Sequence, residues 1–157
     1  MWKKIKPYVI SILIALAVGG LSALLTKGNM DIYSQIQKPK LAPPGFIFPI
    51  VWSILFTLMG ISSAIVYVKA SKEATIQKTG LGVYALQLVV NFFWSILFFN
   101  FQAFLFSFLW LILLWILIVI MIVRFYKISH LAAYLQIPYL LWVTFAGYLN
   151  LMIYMLN

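Results

Sequence analysis

A chain of 157 residues that is 66% hydrophobic and only 8% charged cannot fold as a soluble domain without exposing most of its apolar surface. It reads as an all-α membrane protein in a single domain, 1-157, and its zero cysteines exclude disulfides and thiolate sites while leaving the redox compartment open. The net charge of +9 does not imply a nucleic acid partner, because the eleven basic residues lie between apolar runs, where they anchor the chain at the headgroups of a lipid bilayer.

Four stretches lack formal charge, and the third, Thr79 to Val123, is 45 residues long. A span needs roughly 20 apolar residues, so this stretch must turn back on itself, most simply at the polar segment Asn100 to Gln102. The expectation is a five-transmembrane-helix bundle with spans near 7-26, 46-68, 80-99, 103-125 and 132-155, and a long ordered loop between the first two. Lys3, Lys4, Lys6, Lys69, Lys72, Lys78, Arg124 and Lys127 fall on the side of the N-terminus, against Lys27, Lys38 and Lys40 on the other. That bias favours a cell membrane protein with a cytoplasmic N-terminus and the C-terminus outside.

The start MWKKIK also describes a secretory signal with Ala15-Leu16-Ala17 as its cleavage site, but apolar residues run on to Leu25, beyond a typical signal core. Ser11, Ala15, Gly19 and Ala23 recur every four residues and let a helix approach closely, either inside the bundle or in a dimer seam. The loop Thr26 to Gly45 is either a lid over the bundle or a passive connector, with Tyr33, Ile36 and its proline-rich end arguing for order. Pro43, Pro44 and Gly45 fix a turn before span two, and Pro49 falls in that helix's first turn, where a missing N–H is harmless.

Span two puts Phe48, Trp52 and Phe56 on one face, continued by Gly60 and Ala64. Span three carries Gln87, Asn91 and Ser95 at four-residue spacing, with Trp94 and Phe98 beside them. Carboxamides in hydrocarbon need partners, so these groups point inward, either to join helices or to meet the polar edge of a ligand. Span four is almost purely aliphatic and reads as offering nothing polar before Arg124. Its Trp110 is assigned to an interfacial belt, with a subunit-packing surface as the other reading for Trp110 and Trp115. Span five has Pro138, which is expected to kink it, and then Trp142, Phe145, Ala146, Leu149 and Asn150 on one face, a stripe that is either core or ligand cradle. Helix directions bring these indoles and amides to similar depths under the loop, around a flat apolar hollow suited to a large planar aromatic ligand.

The segments KPKLAPPGFIFPIVWSILF, LQLVVNFFWSILFF and IPYLLWVTFAGYLN resemble, in order, helices two, three and five of the translocator protein family, also called tryptophan-rich sensory proteins or peripheral-type benzodiazepine receptors (TspO/MBR). The resemblance implies a five-helix bundle, usually a homodimer, that binds porphyrins such as protoporphyrin IX and haem beneath the first loop. Isoquinoline and benzodiazepine ligands are implied at the same place, as are roles in tetrapyrrole sensing, stress response or light-dependent porphyrin breakdown. The positions that match the family's ligand site are Tyr33, Pro43, Trp52, Asn91, Trp94, Ser95, Trp142 and Ala146, with Trp52 and Trp142 at the indole positions implicated in the photochemistry. Gln87, Phe145 and Asn150 join them from the helical spacing above. The chain departs from the family's sterol-recognition stretch, since Tyr154 is followed only by Met155, Leu156 and Asn157, which argues against sterol binding there. It also has Leu109 and Trp110 where many members carry an acid.

The residues thus point to a porphyrin-binding receptor or carrier, with a light-driven porphyrin-degrading enzyme as the alternative. Neither requires a cofactor or a metal, and porphyrin enters as ligand. No conventional catalytic constellation is visible, and His130 reads as a loop residue rather than a haem ligand. An ion-coupled transporter ranks last because the spans hold no acid or base.

Overall fold

The computed structural model describes all 157 residues, and 97 of its 119 backbone hydrogen bonds lie within its helices. Five helical stretches are long and apolar enough to cross a membrane. The first, α1 (Trp2–Thr26), starts ahead of the expected boundary and runs through its lysines, which are good helix formers. In α1 the stripe of small residues packs within the bundle: Ala15 is fully buried and Gly19 lies against the Phe56 ring. Ala23 is exposed, and the contact passes instead to Ser22, whose hydroxyl donates to the Phe92 carbonyl at 3.0 Å.

The loop after α1 is tied down at both ends by bonds to distant parts of the chain. A 3₁₀ turn at Lys27–Asn29 leads into the short α2 (Ile32–Gln35). Asn29 donates to Asn100 Oδ1 at 2.8 Å, and Asn100 donates to the Leu25 carbonyl at 3.1 Å, which ties the loop's start to the far reversal. At its other end the Gln37 N–H donates to Asn157 Oδ1 at 3.2 Å and the Gln37 carbonyl accepts from Asn157 Nδ2 at 3.0 Å. The double-proline turn then closes with Ile47 N–H on the Pro44 carbonyl, and α3 (Ile47–Lys69) begins with Pro49 in its first turn.

A short α4 (Ile76–Thr79) is capped by the Thr75 hydroxyl and ends at Gly80, which sits at φ 82°. Glycine is required there twice over: the angle is left-handed, and an added Cβ would lie 2.8 Å from Arg124 Cβ. Next, α5 (Leu81–Ser95) loosens into a π turn at Ile96–Asn100, with the Phe101 N–H reaching back to the Ile96 carbonyl, and the chain reverses through Phe101 and Gln102 as expected. The fourth span is α6 (Phe104–Tyr126).

The fifth span corrects the expectation of a proline kink. The helix breaks into α7 (His130–Leu135) and α8 (Ile137–Leu156), with Gln136 between them and Pro138 in the first turn of α8. Proline is tolerated at the start of a helix, so it marks where α8 begins rather than a bend within a continuous rod. The core runs between α3, α5, α6 and α8, where Met59, Leu114, Ile118, Met121, Phe125, Tyr139 and Val143 are almost wholly buried. Leu13, Ile54, Leu109 and Leu141 are exposed on the outside, the reverse of a soluble protein and the face that hydrocarbon would cover.

Candidate functional site

The candidate residues separate into three groups. The first centres on Tyr139 of α8, buried between α3 and α5. Its hydroxyl donates to Gln87 Oε1 at 2.7 Å and accepts from Asn91 Nδ2 at 2.7 Å, and Gln87 Nε2 points at Met59 Sδ, 4.0 Å away. Gln87 and Asn91 are four residues apart because α5 turns once in that distance, which sets two amides one above the other for a single phenol. Trp52 packs edge-on against the same ring, centroid to centroid 6.2 Å, and leans on Phe56 at 5.5 Å. The two amides are therefore joining helices, and Tyr139 fills the space between Trp52 and α5.

The second group centres on Asn150. Its Oδ1 accepts from the Trp94 indole at 3.1 Å and from the Ser107 hydroxyl at 3.1 Å, while its Nδ2 donates to the Phe104 carbonyl at 2.8 Å. Trp94 stacks on Phe98 at 5.2 Å. One carboxamide thus ties α5, α6 and α8 together, with every polar atom matched. Ser107 corrects the reading of span four as having nothing polar before Arg124. Trp110 is also reassigned: its indole donates to the Val90 carbonyl at 2.7 Å, so it packs across α5 rather than standing in an interfacial belt. Trp115 remains outward, 40% exposed, with its N–H on Thr144 Oγ1 at 2.9 Å.

The third group runs from the loop onto α8. Tyr33 donates to the Pro43 carbonyl at 2.6 Å, and Lys38 both donates to the Tyr33 carbonyl at 2.6 Å and lies 4.9 Å from its ring centre. Burial pushes the Tyr33 phenol above its ordinary pKa. The Tyr33 ring meets Phe48 edge-on at 5.1 Å, Phe48 meets Trp142 at 5.8 Å, and Trp142 meets Phe145 at 5.7 Å. Beside this chain an open-sided apolar groove of about 420 Å³ runs between α3 and α8, lined by Val51, Ile54, Leu55, Pro138, Leu141, Trp142 and Phe145. Its size falls within the roughly 300–1,000 Å³ usual for small-molecule sites. The Trp142 indole nitrogen is buried without a hydrogen-bond partner. Ala146 lies buried one turn beyond Trp142, and Ser95 is half-buried at the end of α5.

With the geometry in place, comparison with known proteins is decisive at the level of family. The model of the TspO/MBR family matches residues 11–156. The chain belongs to the TspO/MBR family. Among similar proteins, the tryptophan-rich protein TspO of Chlorobaculum tepidum is 39% identical, covering 100% of this chain and 99% of its own length. Protein CrtK of Rhodobacter capsulatus is 35% identical over 88% of this chain and 85% of its own. The translocator protein of Bos taurus is 35% identical over 84% and 79%.

For this TspO/MBR chain, sequence reasoning missed two polar hubs, Tyr139 and Ser107. Tyr139 was legible in principle, being three residues before Trp142 and seven before Ala146 on the same helical face. Ser107 carried no such signal, since a hydroxyl in a helix readily turns its proton to its own backbone, and here the one proton is shared between the Phe104 carbonyl at 3.0 Å and Asn150 Oδ1 at 3.1 Å.

Proposed function

We propose that this TspO/MBR protein is a receptor or carrier for porphyrins such as protoporphyrin IX and haem, and for related planar aromatic ligands, in tetrapyrrole sensing or stress response. The single observation that carries the reading is the open-sided apolar groove between α3 and α8, of a size for a small molecule and walled in part by Trp142 and Phe145. The Trp142 indole N–H lies covered beside that groove without an acceptor, and a ligand that displaces the ring on entering would offer it one in a carboxylate or carbonyl. The groove's apolar walls suit a flat ring system, and the run Tyr33–Phe48–Trp142 connects it to the loop above, so lid and groove respond together. The proposal includes a homodimer in the cell membrane with its N-terminus cytoplasmic, as the distribution of basic residues favours.

The test is titration of the purified protein in detergent with protoporphyrin IX, followed by the shift of the porphyrin's absorption band. Trp142→Phe is expected to weaken binding roughly five- to tenfold, the worth of one hydrogen bond. Trp115→Phe, on the outer face, serves as the control. Equal affinity in all three proteins refutes the groove as the site.

The second reading, light-dependent porphyrin breakdown, is favoured by the contact of Trp52 with Tyr139, which places an indole of α3 against a phenol one turn before Trp142 on α8. It requires loss of the porphyrin band under illumination, slowed in the Trp52→Phe/Trp142→Phe double variant. Bleaching at the wild-type rate in that variant removes the indoles from any chemistry.

A further inference from the structure

At the end of the bundle that carries the N-terminus, a second hollow of about 560 Å³ lies between α4 and α6, lined by Gln77, Lys78, Val119, Ile120, Val123, Arg124 and Lys127. Its residues sort by depth. Lys78, Arg124 and Lys127 form a cationic rim where the helices leave the membrane, while Val119, Ile120 and Val123 form an apolar wall on the membrane side of α6. That wall is continuous along the helix with Ile116 and Ile112 at four-residue steps, and Ile112, Ile116, Ile120 and Val123 are all exposed. The chain has eleven basic residues against two acids, Asp31 and Glu73, so this rim has almost no internal anions to neutralise it.

The rim is also built rather than incidental. Arg124 gives one N–H to the Gln77 carbonyl, which fixes the guanidinium against the end of α4 and leaves most of its five donors free. Gly80 allows that approach, since a Cβ there would collide with Arg124 Cβ. The short α4, its glycine stop and the end of α6 thus hold three cations around one concave opening, directly above a strip of hydrocarbon-facing side chains.

We propose that this hollow is a binding site for one anionic phospholipid of the adjacent leaflet, its phosphate held by Arg124, Lys78 and Lys127 and one acyl chain laid along Val123, Ile120 and Ile116. The combination decides the ligand class: a free phosphate has no use for the apolar wall, and a zwitterionic lipid brings a cation into a rim of like charge.

The test is native mass spectrometry of the full-length protein released from detergent, loaded with an equimolar mixture of phosphatidylglycerol and phosphatidylcholine matched in acyl chains. The wild type is expected to retain one phosphatidylglycerol preferentially. Each charge removed by Lys78→Gln, Arg124→Gln or Lys127→Gln is expected to weaken retention about fivefold, and all three on the order of a hundredfold. The charge-matched control Lys3→Gln/Lys4→Gln/Lys6→Gln, on the same side of the membrane but outside the hollow, is expected to leave retention unchanged. Circular dichroism on every variant verifies the helical fold, and the single variants carry the test if the triple variant misfolds. Equal retention of the two lipids overturns the proposal. So does an equal loss in the control, which would mean diffuse charge, and so does displacement of the lipid by millimolar inorganic phosphate, which would mean a free-anion site.

Discussion

Tyr139 donates its phenolic proton to Gln87 Oε1 at 2.7 Å, and through that bond α8 is held to α5 in a part of the protein where no water competes. The phenol's own oxygen in turn accepts from Asn91 Nδ2. Removing the hydroxyl in Tyr139→Phe keeps the ring that Trp52 packs on but leaves two buried amides without their partner. We expect a loss of about 1–3 kcal/mol, read as a lower midpoint of thermal unfolding in detergent. Adding Gln87→Leu to Tyr139→Phe should recover part of that loss, because one orphaned amide goes with it. A double variant less stable than the single one would show that the Gln87 amide oxygen has found another donor.

The close approach of α1 to α3 rests on Gly60, where a Cβ would stand 2.5 Å from Ile12 Cα and 2.7 Å from its nitrogen, main-chain atoms that cannot swing aside. Gly60→Ala must therefore separate two helices, at a cost of about 1–3 kcal/mol or more. Gly20→Ala, where nothing lies within 4 Å, is expected to be neutral or slightly stabilising, since alanine is the better helix former. Thermal unfolding of the two variants side by side checks the contrast, and equal behaviour would mean that α1 packs elsewhere.

How much of this could be read beforehand depends on the kind of signal. The five spans and the reversal at Asn100 to Gln102 were legible because uninterrupted apolar length is the strongest one-dimensional pattern a membrane imposes. That Gln87, Asn91 and Asn150 point inward followed from the cost of a bare amide in hydrocarbon. What they point at did not follow, because Gln87 meets Tyr139 across 52 positions and Asn150 meets Ser107 across 43, and spacing within one helix carries no information about the partner helix. For the same reason Trp110, near the start of α6, reads in the sequence as an interfacial indole, although its N–H meets the Val90 carbonyl of α5. Pro138 marked a discontinuity correctly and its form incorrectly, since proline at a helix start and proline in a kink look identical in sequence.

Gln136, at the break between α7 and α8, is completely buried with neither its oxygen nor its nitrogen matched. An amide in that state is a standing cost, and Gln136→Met keeps the length of the side chain while removing both polar atoms. The expected outcome is a gain of about 1–3 kcal/mol in stability, seen as a raised unfolding midpoint. A fall instead would refute the unmatched state of this amide.

The loop's closure depends on Tyr33, whose hydroxyl holds the Pro43 carbonyl at 2.6 Å while its backbone carbonyl accepts from Lys38. Tyr33→Phe retains the edge-on contact with Phe48 and removes only the bond to Pro43, so the loop should open more often without altering the bundle. Cleavage by trypsin after the exposed Lys40 reports that opening, and we expect it to quicken roughly five- to tenfold in the variant at pH 8. The wild-type loop should itself loosen in alkali. Burial raises the phenol's pKa above its unfolded value of 10.0, so the closed loop is favoured in full below that pH and loses the advantage as the pH rises through the raised value. Hydrogen exchange of the amides of residues 31–45, measured on either side of that range in the wild type and in Tyr33→Phe, should show a step in the first protein only; a step of equal size in both would assign the opening to a different group.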